Sequence, residues 1–248
     1  MSSMTPLEKA AHRSRHLLPL VAIALIGCLG GCENKPDGVS LPSPASTTEA
    51  DTVAPFPDSG VLDAGTYLVT GYPVPFEMTV PDGWRTYNGA ELGRDDPDYP
   101  DEWNVFLSFW PPHNVPTDAC AWQGTLVEID PTAEAFVDAM TAQASTVTTP
   151  PVKVVVGDYS GFEFDHAAES DVDFPACDGG KLCVISDSAQ DCNGRQYTTR
   201  GERATYLAVD LNGERAVIEL GQSDPSIDPA LIEEARAIFD SIVFRSDK

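Results

Sequence analysis

Alternating apolar and polar positions predict short β-strands from about residue 66 onwards. Residues 76–80 (FEMTV) alternate with a period of two, which is typical of a half-buried strand. The turn residues 81–83 (PDG) follow, and residues 84–87 are predicted to return as the second strand of a hairpin. Residues 105–109 are apolar on both faces, so this strand is predicted to be central in its sheet.

The sequence Asn212-Gly213 between two apolar runs predicts a hairpin with a two-residue type I′ turn. Such a turn sets Val209 opposite Ala216 on a largely apolar face. The same register pairs Leu207 with Ile218, Thr205 with Leu220, and Asp210 with Arg215 as an opposite-charge pair.

Two helices are predicted, and each starts with an Asp-Pro pair. Asp130 and Asp228 are the expected N-caps, and each precedes apolar residues at helical spacing. Further strands are predicted at residues 66–70, 125–129, 152–156, 159–164 and 241–244. The order of strands, helix, strands and helix predicts an α+β fold, a mainly antiparallel sheet with packed helices.

The N-terminal residues 1–31 are predicted to be a lipoprotein signal peptide. A basic lead precedes a short apolar core that ends in small residues. The core is shorter than the run of about 20 apolar residues that a spanning helix needs. The endings at Cys28 and Cys32 both resemble the lipobox of bacterial lipoproteins. We expect the lipid on Cys32, with Cys28 as the alternative; an ordinary cleaved signal or an uncleaved anchor are the other interpretations.

Composition divides the remainder into a tether and one domain. Residues 32–60 are rich in Pro, Ser, Thr and acidic residues, which predicts a disordered tether. Residues 61–248 have a suitable length for a single globular domain. A lipid anchor would hold this domain at the cell membrane on the extracytoplasmic side. We expect its partner there to be an envelope protein, a lipid or a glycan.

The chain is strongly acidic, with 39 acidic and 15 basic residues and a formal charge of −24. Such a surface repels phosphate backbones and anionic lipid headgroups. No nucleic-acid partner is therefore expected. Solubility or a salty habitat explains the acidity better than a dedicated cation-binding role.

Four cysteines follow the lipobox: Cys120, Cys177, Cys183 and Cys192. An even number in an exported domain predicts two disulfides, and four cysteines allow three connectivities. We favour Cys183–Cys192, which closes a short hairpin, and Cys120–Cys177, which joins distant loops. A zinc site is the alternative, but no C-x-x-C pair or neighbouring histidine supports it.

No catalytic motif or cofactor motif is recognisable. The sequence contains no G-x-S-x-G elbow, P-loop or dinucleotide-binding glycine pattern. His113 and His166 are candidate bases, although a structural role is favoured for both. Acidic residues at 95–102 and 171–178 are candidate Ca²⁺ ligands, but both segments lack the EF-hand pattern and are interpreted as solvated loops. No catalytic, cofactor or metal residue is assigned.

Trp103, Trp110 and Trp122 are candidates for lining a groove that binds a sugar or a peptide, although large aromatics more often serve a core. We therefore expect a non-enzymatic binding or interaction domain. The alternative is an extracytoplasmic hydrolase that uses a carboxylate or histidine site.

Two segments resemble a known family of extracytoplasmic domains. Residues 74–84 (VPFEMTVPDGW) resemble the opening hairpin of Mog1/PsbP-like domains, and residues 235–244 (ARAIFDSIVF) resemble their closing helix. Many actinobacterial lipoproteins of unassigned function are similar over most of the exported chain, including the loops ending at Cys120 and Cys177. The resemblance implies an α/β/α sandwich with a binding or adaptor role and no catalytic residues to carry over. The pair of cysteines at 183 and 192 departs from it.

Overall fold

Two main β-sheets and two helices form the fold of residues 53–95, 103–224 and 226–245, which are the residues that the computed structural model describes. They belong to one unit that spans residues 48–248. The predicted signal peptide with Cys28 and Cys32, most of the predicted tether and residues 96–102 of the acidic loop lie outside the described residues. No described helix is long and apolar enough to cross a membrane.

The strands and α-helices are numbered here in chain order. The first half contains β1 (Ala54–Pro55), β2 (Gly60–Val61), β3 (Gly65–Val69), β4 (Phe76–Val80), β5 (Arg85–Tyr87), β6 (Glu91–Asp95), β7 (Trp103–Phe109), β8 (Asn114–Pro116), β9 (Leu126–Glu128) and α1 (Ala133–Ala142). The second half contains β10 (Thr146–Thr148), β11 (Val152–Val156), β12 (Tyr159–Ala168), β13 (Leu182–Cys183), β14 (Gln196–Tyr197), β15 (Arg203–Leu211), β16 (Glu214–Gln222), α2 (Pro229–Asp240) and β17 (Val243–Phe244).

The larger sheet has the strand order β10-β12-β15-β16-β7-β6-β5-β2, and β11 also pairs with β12. The smaller sheet has the order β1-β3-β4-β17, in which only the β1–β3 pair is parallel. Two short ribbons, β8–β9 and β13–β14, complete the described strands. The mainly antiparallel α+β arrangement that the sequence predicts is confirmed.

The larger sheet is covered on both faces. Alternate residues of β15 separate the two cores: Leu207 and Val209 join the core beneath α2 and the smaller sheet, whereas Tyr206 and Ala208 join the core beneath α1. Successive side chains of a strand point to opposite faces, so a strand buried on both sides is apolar throughout. This explains the apolar runs 206–209 in β15 and 216–218 in β16.

The β15–β16 hairpin has the predicted register. Val209 pairs with Ala216 and Asp210 with Arg215, and both turn residues, Asn212 and Gly213, have positive φ angles of 56° and 106°. The type I′ requirement for two left-handed residues is therefore met by the two residue types that tolerate it.

The charged pair of this hairpin lies opposite as predicted, and both members also contact the start of helix α1. Arg215 donates to the main-chain carbonyls of Asp130 and Thr132, and the Asp210 carboxylate accepts from the N–H of Ala133 at 2.7 Å. Helix α1 begins at Ala133 with Thr132 as its N-cap, and the prediction of Asp130 as the cap was wrong. Thr132 is the N-cap because its hydroxyl accepts from the N–H of Ala135, the third residue of the helix. The N–H of the first residue, Ala133, is bound by Asp210 instead.

The predicted hairpin of residues 76–80 with residues 84–87 does not form. β4 pairs with β3 and β17, whereas β5 pairs with β2 and β6 in the other sheet. Trp84 is fully buried in the core between the sheets, and its Nε1 donates to Glu234 of α2 at 2.7 Å. Because the indole is buried between the sheets, the chain leaves the smaller sheet after β4. The turn at residues 81–83 therefore connects the two sheets.

The C-terminal helix has the predicted start, because the Asp228 carboxylate accepts from the N–H of Ala230 at 3.0 Å. The folded part also extends further towards the N-terminus than position 61. Ala54–Pro55 pairs with β3, and the ring of Phe56 packs edge-on against Phe109. Part of the segment assigned to the tether therefore belongs to the sheet.

Both disulfides are present, Cys120–Cys177 and Cys183–Cys192. This is the pairing that the sequence analysis favoured. The first joins the loop after β8 to the loop before β13. The second closes the segment between β13 and β14.

Candidate functional site

An open cavity of about 890 Å³, here called the Arg195 cavity, lies on the α1 face of the larger sheet beside β6, β7 and β16. Its wall combines four carboxylates, four amide or hydroxyl side chains, two aromatic rings and one cation. The carboxylates are Glu91, Asp187, Glu202 and Glu219, and the amide or hydroxyl side chains are Asn88, Asn193, Gln196 and Thr198. The rings are those of Phe106 and Trp110, and the cation is Arg195. Such a mixture of aromatic surface and convergent polar groups is typical of a small-ligand site.

Sheet register places three polar side chains in one row, and the outer two, Glu91 and Glu219, line the cavity. Glu91 is directly opposite Ser108, and Ser108 is directly opposite Glu219. Directly opposed residues of antiparallel strands share a face, and two strand spacings separate Glu91 from Glu219 by about 10 Å between backbones. The Ser108 hydroxyl donates to Glu219 Oε2 at 3.2 Å.

The guanidinium of Arg195 is held between aromatic rings and carboxylates. Its Cζ lies 4.9 Å from the ring centroids of both Phe106 and Tyr197. Its Nη1 lies 3.4 Å from Glu202 and its Nε lies 2.8 Å from Glu219. Burial disfavours the charge, but Glu219 and the other neighbouring groups raise the pKa of Arg195 above its ordinary value. Ring faces and carboxylates together stabilise the buried cation.

Glu202 also organises its own turn. Its Oε1 accepts from the N–H and the hydroxyl of Thr198 at 2.6 and 2.7 Å, and from the N–H of Thr199 at 3.1 Å. The carboxylate therefore joins the segment after β14 to Arg195. This locks one wall of the cavity before any ligand arrives.

Three cavity carboxyls lose hydration in the folded protein. Burial raises the pKa of Glu219, although Arg195 and Ser108 oppose the shift. Burial also raises the pKa of Glu91 and of Asp187, and the nearby His113 opposes the shift at Asp187. The shared direction shows that the wall is a costly environment for negative charge.

One wall of the cavity is formed by the rim loop, defined as residues 183–194 and closed by the Cys183–Cys192 disulfide. Ser186 is its centre: its hydroxyl donates to the carbonyl of Asp191 at 2.6 Å and accepts from the N–H of Asn193 at 3.0 Å. A Cβ on Gly194 would lie only 2.7 Å from Cη2 of Trp110, so the close contact of the indole with the loop requires glycine.

Two of the three candidate groove tryptophans, Trp110 and Trp122, have described side chains and lie at different places. Trp110 lines the Arg195 cavity. Trp122 does not belong to that lining, and its Nε1 donates to the carbonyl of Asp178 at 2.8 Å beside the Cys120–Cys177 disulfide. The side chain of Trp103 lies outside the described residues. The predicted three-tryptophan groove is therefore not assembled among the described side chains.

The two candidate histidines occupy different environments. His166 is 1% exposed, and its Nδ1 lies 3.0 Å from the hydroxyl of Tyr197. Burial and the nearby Arg195 lower its pKa to about 3, so the imidazole is neutral near pH 7. His113 is exposed and lies near Asp187. These environments give His166 a structural role in the core.

The second acidic segment serves the local fold. The Asp178 carboxylate accepts from the N–H of Gln123 at 2.9 Å, while Asp171 and Asp173 are exposed. Within residues 53–95, 103–224 and 226–245, no group of three or more His, Cys, Asp or Glu side chains is arranged to hold a metal ion.

Sequence reasoning missed Glu91, Arg195 and Glu219 as a set. Glu219 carried a readable signal, since it is the only charged residue in the apolar stretch from Ala216 to Gly221 of a strand predicted to be buried. Glu91 and Arg195 lie in segments without a periodic pattern, and only the strand order brings them to Glu219.

No protein-family model matches the chain, and no curated protein sequence matches it. Among solved structures, the chain is similar to the crystal structure of LpqN, a protein involved in cell envelope biogenesis of Mycobacterium tuberculosis. The two share 14% sequence identity with a TM-score of 0.38, and the similarity covers 75% of this chain and 93% of that chain. A likeness at this level supports no functional statement, so the site itself must supply one.

Proposed function

We propose that this protein is a membrane-anchored lipoprotein whose folded domain, outside the cytoplasmic membrane, binds a small ligand in the Arg195 cavity without converting it. The observation that carries the proposal is the composition of the cavity wall, where a clamped guanidinium, amides and carboxylates meet the rings of Trp110 and Phe106. Polar groups that converge beside an aromatic surface bind and orient a ligand.

The wall is organised for binding. Arg195 is held by Glu202, Glu219 and two rings, so little side-chain entropy is lost when a ligand enters. The described side chains place no serine or cysteine in hydrogen-bond contact with His113 or with the ring of His166. The arrangement supports recognition better than nucleophilic catalysis.

The binding site can be tested on the full-length lipoprotein in detergent, with its tryptophans labelled as 5-fluorotryptophan. A panel of small sugars, ammonium compounds and carboxylates is titrated while the ¹⁹F signals are recorded. We expect at least one compound to shift the Trp110 signal, assigned with a Trp110→Phe variant. The Trp122 signal is the matched control and should stay in place. If no compound shifts Trp110, the cavity is not the site.

Membrane anchoring has a separate test in cells that process lipoproteins. Metabolic labelling with an alkyne fatty acid should mark the protein, and Cys32→Ser should abolish both the label and membrane association. Cys28→Ser is the matched control and should change neither. Loss of label in the Cys28 variant alone would move the anchor to that residue. Label in neither the parent nor the Cys28 variant would contradict lipidation.

One observation favours a second candidate, a hydrolase with a carboxylate pair. Glu91 and Glu219 lie on one sheet face, as the two carboxyls of a glycosidase lie on either side of the scissile bond, and burial raises the pKa of both, which favours the protonated form that a general acid needs. Turnover of glycan or ester substrates that is lost in Glu91→Gln, but kept in the exposed control Glu214→Gln, would establish this function. Under the binding proposal, no turnover is expected.

A further inference from the structure

We infer that the Arg195 cavity accepts a ligand that carries a positively charged ammonium group, held by Glu91 and Asp187 beside the indole of Trp110. The inference rests on the proposed binding function and specifies its ligand class. It follows from the charges of the wall, their burial and the presence of the Trp110 indole in the lining.

The cavity wall has more negative than positive charge. Its four carboxylates face one guanidinium, and the lining contains no lysine. Arg195 forms ion pairs with Glu202 and Glu219, although its buried Nε and Nη2 have no directed hydrogen bond. Within the described residues, neither Glu91 nor Asp187 has a hydrogen bond or ion pair to its carboxylate, and only the exposed His113 stands near Asp187. The ion pairs of Arg195 thus leave two carboxylates for a ligand.

The third carboxylate of the wall is also incompletely satisfied. Glu219 is 2% exposed, and its Oε2 accepts from Ser108. Its Oε1 is buried and has no directed hydrogen bond, because the N–H at Arg195 Nε does not point towards it although the two atoms are 2.8 Å apart. A buried carboxylate oxygen without a hydrogen bond is unfavourable, and a cation in the cavity would reduce that cost.

The aromatic surface of the cavity also favours a positively charged ligand. Phe106 and Tyr197 already stack on the guanidinium of Arg195. Trp110 is half-buried, lines the cavity and is held in place by its contact with Gly194. An indole face next to carboxylates is the usual environment of a bound ammonium group.

Other occupants fit less well. An anion would meet the uncompensated Glu91 and Asp187, and the acidic chain as a whole, with its formal charge of −24, repels it. A bare divalent cation needs several converging oxygen ligands, and the described residues hold no cluster of that kind. A neutral sugar would satisfy the amides but would leave the two carboxylates without a counter-charge.

The test uses two pairs of probes that differ in charge but closely match in shape. Choline is compared with its neutral isostere 3,3-dimethyl-1-butanol, and protonated glucosamine with glucose. The full-length lipoprotein is kept in an uncharged polyoxyethylene detergent, and binding is followed by the ¹⁹F signal of Trp110. We expect each ammonium compound to bind at least about ten-fold more tightly than its neutral partner, which corresponds to about 1.4 kcal/mol.

Variants identify the carboxylates responsible. Glu91→Gln and Asp187→Asn should each reduce the preference for the ammonium compound by about three-fold or more, by analogy with desolvated charge pairs. Glu214→Gln and Asp171→Asn remove the same charges at exposed positions outside the cavity lining and should leave the preference unchanged. Circular dichroism melts show that each variant is folded.

The results separate this inference from the function on which it rests. Equal binding of charged and neutral probes would overturn the ammonium class and leave the binding function in place. Calcium that displaces choline, or an unchanged preference in both cavity variants, would also overturn it. A Trp110 signal that no probe or panel compound moves would overturn both.

Discussion

Arg195 makes contacts that explain how a charged side chain remains stable inside an acidic protein. It touches two rings and lies within ion-pair distance of two carboxylates, one of which is 2% exposed. Removing one partner of such a pair leaves the other charged and poorly hydrated, which costs more than the pair contributes. Single substitutions here should therefore have larger effects than their number of hydrogen bonds suggests.

We expect Arg195→Met to lower the free energy of unfolding by about 3 kcal/mol because Glu219 loses its counter-charge. Adding Glu219→Gln should restore part of that loss, since the remaining group is neutral. Urea unfolding of both variants measures the difference. A double variant less stable than Arg195→Met would show that the ion pair is not the main cause.

His166 makes stability depend on pH in a defined direction. Its pKa is about 3 in the folded protein against the ordinary value of 6.5, so below 6.5 the unfolded chain binds a proton that the folded chain does not. The free energy of unfolding should therefore fall as the pH falls from 6.5, with a slope of up to about 1.4 kcal/mol per pH unit. Arg195, Tyr197 and Tyr206 are the groups that face the ring.

Urea unfolding between about pH 7 and pH 5 measures this slope. A His166→Asn variant keeps a hydrogen-bonding group near Tyr197 and should show a smaller decrease over the same range. Carboxyls with raised pKa, such as Glu91 and Glu219, act in the opposite direction but are common to both proteins. Equal slopes in the two proteins would contradict the buried neutral histidine.

The strands and helices differ in how far their own local sequence determines them. The β15–β16 hairpin follows from its turn and its alternation, and α2 follows from its cap and apolar stripe. The chain from β4 to β5 does not follow local rules, because Trp84 is buried between the sheets and bonded to Glu234. A local turn signal therefore predicts a change of direction correctly and the pairing partner wrongly.

The hairpin turn can be tested by replacing Gly213 with alanine. Gly213 has a φ of 106° and open space around it, so the only penalty is backbone strain, which we estimate at about 1–2 kcal/mol. Gly71→Ala is the matched control, since that position is equally open and has no positive φ. Thermal melts should show a lower Tm for the first variant only. Equal melting temperatures would mean that the turn is not strained by a side chain.

The molecule as a whole places its cavity between a sheet face and a disulfide-closed rim. Cys120–Cys177 joins residues 57 positions apart, whereas Cys183–Cys192 joins residues nine positions apart within the rim loop. The first restricts the unfolded chain more, and the second also shapes the cavity wall. Both disulfides should therefore contribute to stability, whereas ligand binding should depend on the second only.

Replacing each pair of cysteines by alanine separates the two roles. Loop-closure entropy predicts a loss of about 4 kcal/mol without Cys120–Cys177 and about 3 kcal/mol without Cys183–Cys192. Only removal of the second pair should weaken the Trp110 response to a ligand. Urea unfolding and the ¹⁹F titration measure the two effects. A rim-loop variant with unchanged ligand binding would remove the loop from the site.

The sequence alone determined the features that depend on neighbouring residues. These are the antiparallel α+β class, the hairpin register around Asn212-Gly213 and the start of α2. Spacing and compartment also favoured the disulfide pairing that the structure contains. Short-range geometry fixes the hairpin register, the start of α2 and the Cys183–Cys192 pair, so a single stretch of chain carries the information for each of these three.

Only the tertiary structure decided the site. Glu91, Ser108 and Glu219 share one face because β6, β7 and β16 are adjacent in the sheet. Arg195 reaches them from a loop, because two rings and two carboxylates compensate its burial. Strand order and buried charge depend on the free energy of the whole fold, so no local pattern in the chain could show that these residues meet.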